Sequence, residues 1–143
     1  KYTFCFKPRH GYKPIMKANI VKNSFKIKNT KHTMKIIPFD VIHGMIKATG
    51  FLFEKVAYIS DCNKIPNSSI KNLYNLNYLV LDCLKLSKHP SHFNLSEALE
   101  LINLVRPKKT ILTNLHTDLD YNDLKKMLPK NVYPAFDGMV FNF

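Results

Sequence analysis

Apolar positions recur along this chain with two different periods, and the switch between them locates its elements. Tyr78-Leu79-Val80-Leu81 is an apolar, β-favouring run that ends at Asp82-Cys83. Downstream, Leu95, Ala98, Leu99, Leu101, Ile102 and Val105 recur at helical spacing, and Pro107 closes the run. Asn94 stands where an N-cap belongs, with Glu97 three residues later in the capping-box position. Lys109-Thr110-Ile111-Leu112-Thr113 then repeats the strand pattern. Strand, helix and strand of these lengths predict a βαβ unit. Loops beyond the carboxyl ends of such strands are the usual place for ligands.

The flanking segments are shorter-ranged. Tyr2–Phe6 alternates like a strand and Pro8-Arg9-His10-Gly11 reads as a turn. Ile20, Phe25 and Ile27, spaced by polar residues, suit half-buried strands, and Met34–Ile37 runs on into Pro38-Phe39-Asp40-Val41-Ile42-His43-Gly44. Gly50–Phe53 and Val56–Ile59, separated by Glu54-Lys55, predict a hairpin with a two-residue turn. Asn67 or Ser68 can cap a short helix around Ser69–Leu76, and Tyr121–Met127 forms another that Leu128-Pro129 stops. Val132–Phe136 and Met139–Phe143, joined at Asp137-Gly138, predict a closing hairpin. With neither repeat nor linker, residues 1–143 read as one α/β layered domain.

Composition narrows the class. A chain of 143 residues, 45% apolar, can build a real core. It has no apolar run of about 18 residues or more, so no membrane-spanning helix is expected. Cys5, Cys62 and Cys83 are an odd set without C-x-x-C spacing, which argues against a disulfide scaffold or zinc ribbon and for a reducing cytoplasm. Lys1 is the first residue and Tyr2–Phe6 is too short for a signal peptide, so the chain is expected to be processed or part of something longer. The net charge of +12 is uneven, since residues 1–39 hold ten Lys or Arg and no acid. Such an arm suits nucleic acid or a phosphorylated substrate, or is a solvated lysine-rich face. No recognition helix or stacking platform accompanies it.

The candidate chemistry is a series of imidazoles and carboxylates near strand ends: His43, Asp61, His89, His92, His116, Asp118 and Asp120. These are ligand types for zinc, manganese or iron. Gly44 beside His43 permits close backbone approach, and Asp61, after four residues of strand character, needs cationic, hydrogen-bonding or solvent partners. His10 and His32 lie in basic, turn-like surroundings. No pair forms a compact motif such as H-E-x-x-H, so the residues alone leave open a metal site or hydrogen-bonded structural histidines.

The wording around them carries more. Pro38–Gly44, Ala57-Tyr58-Ile59-Ser60-Asp61-Cys62, Leu81-Asp82-Cys83-Leu84, His89-Pro90-Ser91-His92-Phe93-Asn94-Leu95, Leu112–Tyr121 and Ala135-Phe136-Asp137-Gly138-Met139 follow in an order that resembles the metallo-β-lactamase-fold hydrolases. The branch they resemble is that of the PhnP-like cyclic-phosphate phosphodiesterases. The resemblance covers the whole chain and is strongest over residues 38–139. It implies an αββα sandwich, represented here by its carboxyl-terminal half, with two divalent metals (zinc or manganese) at one edge. It implies that His43 ligates one metal, Asp61 bridges both and His116 serves the second, while His92 protonates the departing oxygen. His89 would support His92 or face solvent, and Asp118 and Asp120 would orient the following helix. Many relatives carry the histidine directly after the strand threonine, where this chain has Asn114.

One departure matters. The H-x-H-x-D-H motif of that family is missing from these 143 residues. Each metal would then keep two protein ligands where catalytic zinc sites use about three plus water. The expectation is weak metal binding and little or no hydrolysis of a small phosphodiester by this chain alone. Its partner would be a separate amino-terminal half or another copy of itself. A non-catalytic remnant, or a basic module binding phosphate or nucleic acid, is the alternative. His43, Asp61, His92 and His116 are expected to converge on one sheet edge.

Overall fold

A computed structural model describes residues 3–21 and 23–143. Seven strands among the described residues form one sheet in chain order: β1 (Phe25–Lys28), β2 (Thr33–His43), β3 (Ile46–Phe53), β4 (Val56–Ile59), β5 (Tyr78–Asp82), β6 (Lys109–Thr113) and β7 (Val132–Pro134). The pairs from β1 to β4 are antiparallel and those from β4 to β7 are parallel. The hairpin at Glu54-Lys55 and the βαβ unit form as the sequence predicts. Pro38 is tolerated inside long β2 because β1 pairs only as far as Ile36, leaving no ladder partner on that side.

Among the described residues three α-helices accompany the sheet: α1 (Asn67–Ile70), α2 (Leu95–Val105) and α3 (Tyr121–Met127). Asn94 and Glu97 make the reciprocal capping box of α2, with Arg106 left-handed at its end. The apolar face of α2 (Leu95, Ala98, Leu101, Ile102, Val105) packs with Ala57, Ile59, Leu79, Leu81 and Leu112, alternate strand residues sharing one sheet face. Asp120 caps α3 through the amides of Asn122 and Asp123, the orienting role expected of it.

The other sheet face is aromatic. Register aligns Phe51, Tyr58, Val80, Ile111 and Tyr133 across five strands, and Phe53, Val56 and Tyr78 beside them. Phe141 stacks on Tyr78 at 4.7 Å and Phe143 meets Phe53 edge-on at 5.5 Å, covering part of that face. Tyr58 and Tyr133 stay 41% and 37% exposed.

Three local expectations change. Thr3–Cys5 is a 3₁₀ turn rather than a strand, while Tyr2 of that expected strand lies outside the described residues. The expected helix over Ser69–Leu76 starts earlier, after Pro66, and passes at Lys71–Leu73 into a 3₁₀ turn. Proline fixes the extended-to-helix entry without its own N–H. Met139–Phe143 forms no strand with β7, which pairs parallel to β6 instead; the segment lies against the aromatic face through its rings.

Candidate metal centre

Four strand ends build the edge where chemistry gathers. β2 delivers His43; β4 runs out through Ser60 into Asp61; β5 ends on Asp82; β6 ends at Thr113 and turns on Asn114, whose φ of 62° is a left-handed conformation asparagine tolerates. The loop after β5 supplies His89 and His92 and is tied back to β2. Gly44 N–H donates to Asn63 Oδ1 (2.9 Å), Asn63 Nδ2 donates to the Pro90 carbonyl (3.1 Å), and His43 Nδ1 reaches the Ser91 carbonyl (2.9 Å). A carbonyl only accepts, so that last contact places the proton on Nδ1 and leaves Nε2 with its lone pair.

Asp82 organises the other side. Its carboxylate is fully buried and takes three donors: the Cys62 amide (3.0 Å) and His92 Nδ1 (2.8 Å) on Oδ2, and Asn114 Nδ2 (2.9 Å) on Oδ1. His92 therefore also presents Nε2 outward, with a ring 14% exposed. Its centroid lies 4.6 Å from that of His43, edge to face. Asp61 is exposed, with the Ser60 hydroxyl donating to Oδ2 at 3.1 Å.

At this edge three of the four residues come together as one cluster. One ligand atom each from His43, Asp61 and His92 lies within 4.8 Å of the others. Two imidazole nitrogens and a carboxylate oxygen are a donor set that zinc accepts, and both rings have the anchored Nδ1 that metal-binding histidines show. The chemistry of the residues fits a divalent metal.

His116 lies outside that triplet. Its amide is fixed to the Leu84 carbonyl (2.8 Å), and its half-exposed ring turns Nδ1 toward Asp118 (3.2 Å). His89 packs on His92 at 5.1 Å between centroids and among the described residues bonds only within its own turn, to Ser91. Desolvation first, then the neighbouring basic groups of His92, Lys85 and His43, hold its imidazole below the ordinary range. Asp82 is the residue the sequence reading passed over. A carboxylate closing an apolar strand was the available signal, since such a group must find donors.

Comparison with known proteins agrees with this architecture. The family described as beta-lactamase superfamily domain matches residues 2–114. A solved diphosphatase from the PhnP family superposes with a TM-score of 0.81 at 29% identity, over 90% of this chain and 49% of that one. Zinc-bound PqqB from Methylobacterium extorquens superposes at 0.69 with 11% identity, over 89% of this chain and 56% of that one, a likeness of fold. An octanoyltransferase of Porphyromonas gingivalis is 26% identical over 141 residues, covering 96% of this chain and 28% of that protein. The chain thus spans about half the length of the solved relative and about a quarter of the curated one. A mixed sheet with helices on one face, histidines and an aspartate at its edge, and a family match over residues 2–114 lead to one assignment: the chain belongs to the β-lactamase superfamily domain family and has the metallo-β-lactamase fold.

Proposed function

We propose that this chain is the carboxyl-terminal half of a metal-dependent hydrolase of phosphodiesters or cyclic phosphates. The convergence of His43, Asp61 and His92 at the strand ends carries this reading. The 29% identity to the PhnP-family diphosphatase supports phosphorus as the reacting centre, and the basic residues of 1–39 suit an anionic substrate. His43, Asp61 and His116 would hold the metal ions. Divalent metals at such a centre supply Lewis-acid polarisation of the phosphoryl oxygen and activate water.

The residues of this chain do the rest. Asp82 keeps Nδ1 of His92 occupied, so a proton the ring takes up from the medium is held at Nε2 and can leave only from there. As water adds to phosphorus and the ester P–O bond breaks, His92 gives that proton to the departing oxygen. The missing ligands belong to a partner half carrying H-x-H-x-D-H. The aromatic sheet face, too apolar to be left to solvent, is where that half would pack.

The test supplies a fragment bearing H-x-H-x-D-H and measures hydrolysis of aryl and alkyl phosphodiesters with zinc or manganese. The pair should turn over while residues 1–143 alone stay near background. His92→Ala should slow alkyl esters most, since poor leaving groups need the proton. An inactive pair, or vigorous turnover by the chain alone, would overturn the reading.

A further inference from the structure

We propose that His43, Asp61 and His92 by themselves form a mononuclear site for one divalent ion of the zinc class, with His92 as its third ligand. This rests on the reading of His43 and Asp61 as metal ligands and goes beyond it. The family resemblance gives His92 to proton transfer and the remaining ligands to H-x-H-x-D-H. In the chain as it stands, a ring nitrogen of His92 instead falls within 4.8 Å of a donor atom of each of the other two.

Three observations carry the assignment. The first is donor identity: two neutral imidazoles and one carboxylate match zinc, cobalt or nickel better than magnesium or calcium, which favour all-oxygen shells. The second is orientation. His43 Nδ1 is held by the Ser91 carbonyl and His92 Nδ1 by Asp82, so both Nε2 lone pairs are available without rotation of either ring. The third is reach. Donors bound at about 2.0–2.2 Å in a tetrahedron stand roughly 3.4 Å apart. The present donors lie within 4.8 Å of one another, and Asp61, exposed with its carboxylate accepting from the neighbouring Ser60 hydroxyl, has room to adjust toward that spacing. When the partner half supplies its ligands, His92 is released to its role as proton donor.

Zinc titration of the full 143-residue chain by calorimetry in phosphate-free buffer tests this. One ion should bind per chain, micromolar or tighter. His92→Ala should weaken binding by about 100-fold or more, beyond the 10–100-fold typical of residues that only support a ligand, and a control at the exposed His32, His32→Ala, should leave it within about twofold. Since a variant can fail to fold, long-range ¹⁵N NMR of the wild-type histidines gives a second readout. Zinc should shift Nε2 of His43 and His92 and spare His116. Absence of binding, two ions per chain, or shifts at His116 in place of His92 would overturn the proposal. Binding as described combined with an inactive reconstituted pair would leave the site standing and remove the phosphodiesterase reading alone.

Discussion

His92 Nδ1 lies 2.8 Å from Asp82 Oδ2, and Asp82 is fully buried. That contact fixes which imidazole nitrogen can do chemistry. It also joins the site to the sheet, because the same carboxylate holds the Cys62 amide beside Asp61 and the Asn114 amide beyond β6.

Removing this carboxylate should damage stability and site together. Asp82→Ala leaves the buried Cys62 amide and the partly buried His92 ring without their acceptor, and chemical denaturation should record a loss of about 3–5 kcal/mol. Asp82→Asn keeps the shape, but its amide nitrogen must face a donor unless Asn114 flips, so a loss of about 1–3 kcal/mol is expected. Zinc affinity of the folded Asp82→Asn chain should fall roughly 10–100-fold. Unchanged affinity would mean that Asp82 supports the fold without orienting His92.

Two thiols near this centre should be inert. Burial, above all, pushes Cys62 and Cys83 up to about 12 from an ordinary value of 9.0, with Asp82 adding to the rise. A thiol-specific reagent at pH 8 should therefore label Cys5 in the native chain and reach the other two only on unfolding. The folded thiols keep their protons where unfolded thiols lose them, so stability should fall as pH rises from about 9 toward 12. Cys83→Ala should flatten that fall; an identical slope would show that other groups cause it.

The sequence made the βαβ unit legible because its signals are local: period, capping box and the proline that ends α2. Strand partners are not local. Met139–Phe143 alternates like a strand, yet nothing within the segment says which backbone it pairs with, and here it meets rings instead. The site divides the same way. His43, Asp61 and His92 could be picked by residue type and phrase, whereas Asp82 finds its partners 10, 20 and 32 positions away. His116 follows β6 at the same sheet edge but outside the triplet, with Nδ1 3.2 Å from Asp118.

Gly50 should resist substitution for a reason of packing. It faces Phe39 across β2 and β3, and a Cβ at position 50 would stand 2.6 Å from the Phe39 ring. That ring is buried in the core, so Gly50→Ala should cost about 1–3 kcal/mol in thermal or chemical unfolding. Adding Phe39→Leu removes the obstructing ring edge. The double variant should lose less than the two single losses summed; strict additivity would place the damage in backbone preference instead.

Gly44 tests whether the loop carrying His92 is positioned through β2. Its φ of 61° lies in the left-handed region, and an added Cβ would approach Ser91 Cβ to 3.2 Å. Ser91 is the residue whose carbonyl holds His43. Gly44→Ala should therefore act twice. Backbone strain should lower stability by about 1 kcal/mol, and pressure on Ser91 should misplace both His43 and the following His92, weakening zinc binding severalfold. Gly138→Ala supplies the control, because φ there is 85° but nothing lies within 4 Å of the added Cβ. It should show the strain cost alone, with zinc affinity unchanged. Equal zinc affinities in the two variants would mean that the Ser91 contact does not set the site, and that Asp82 alone places His92.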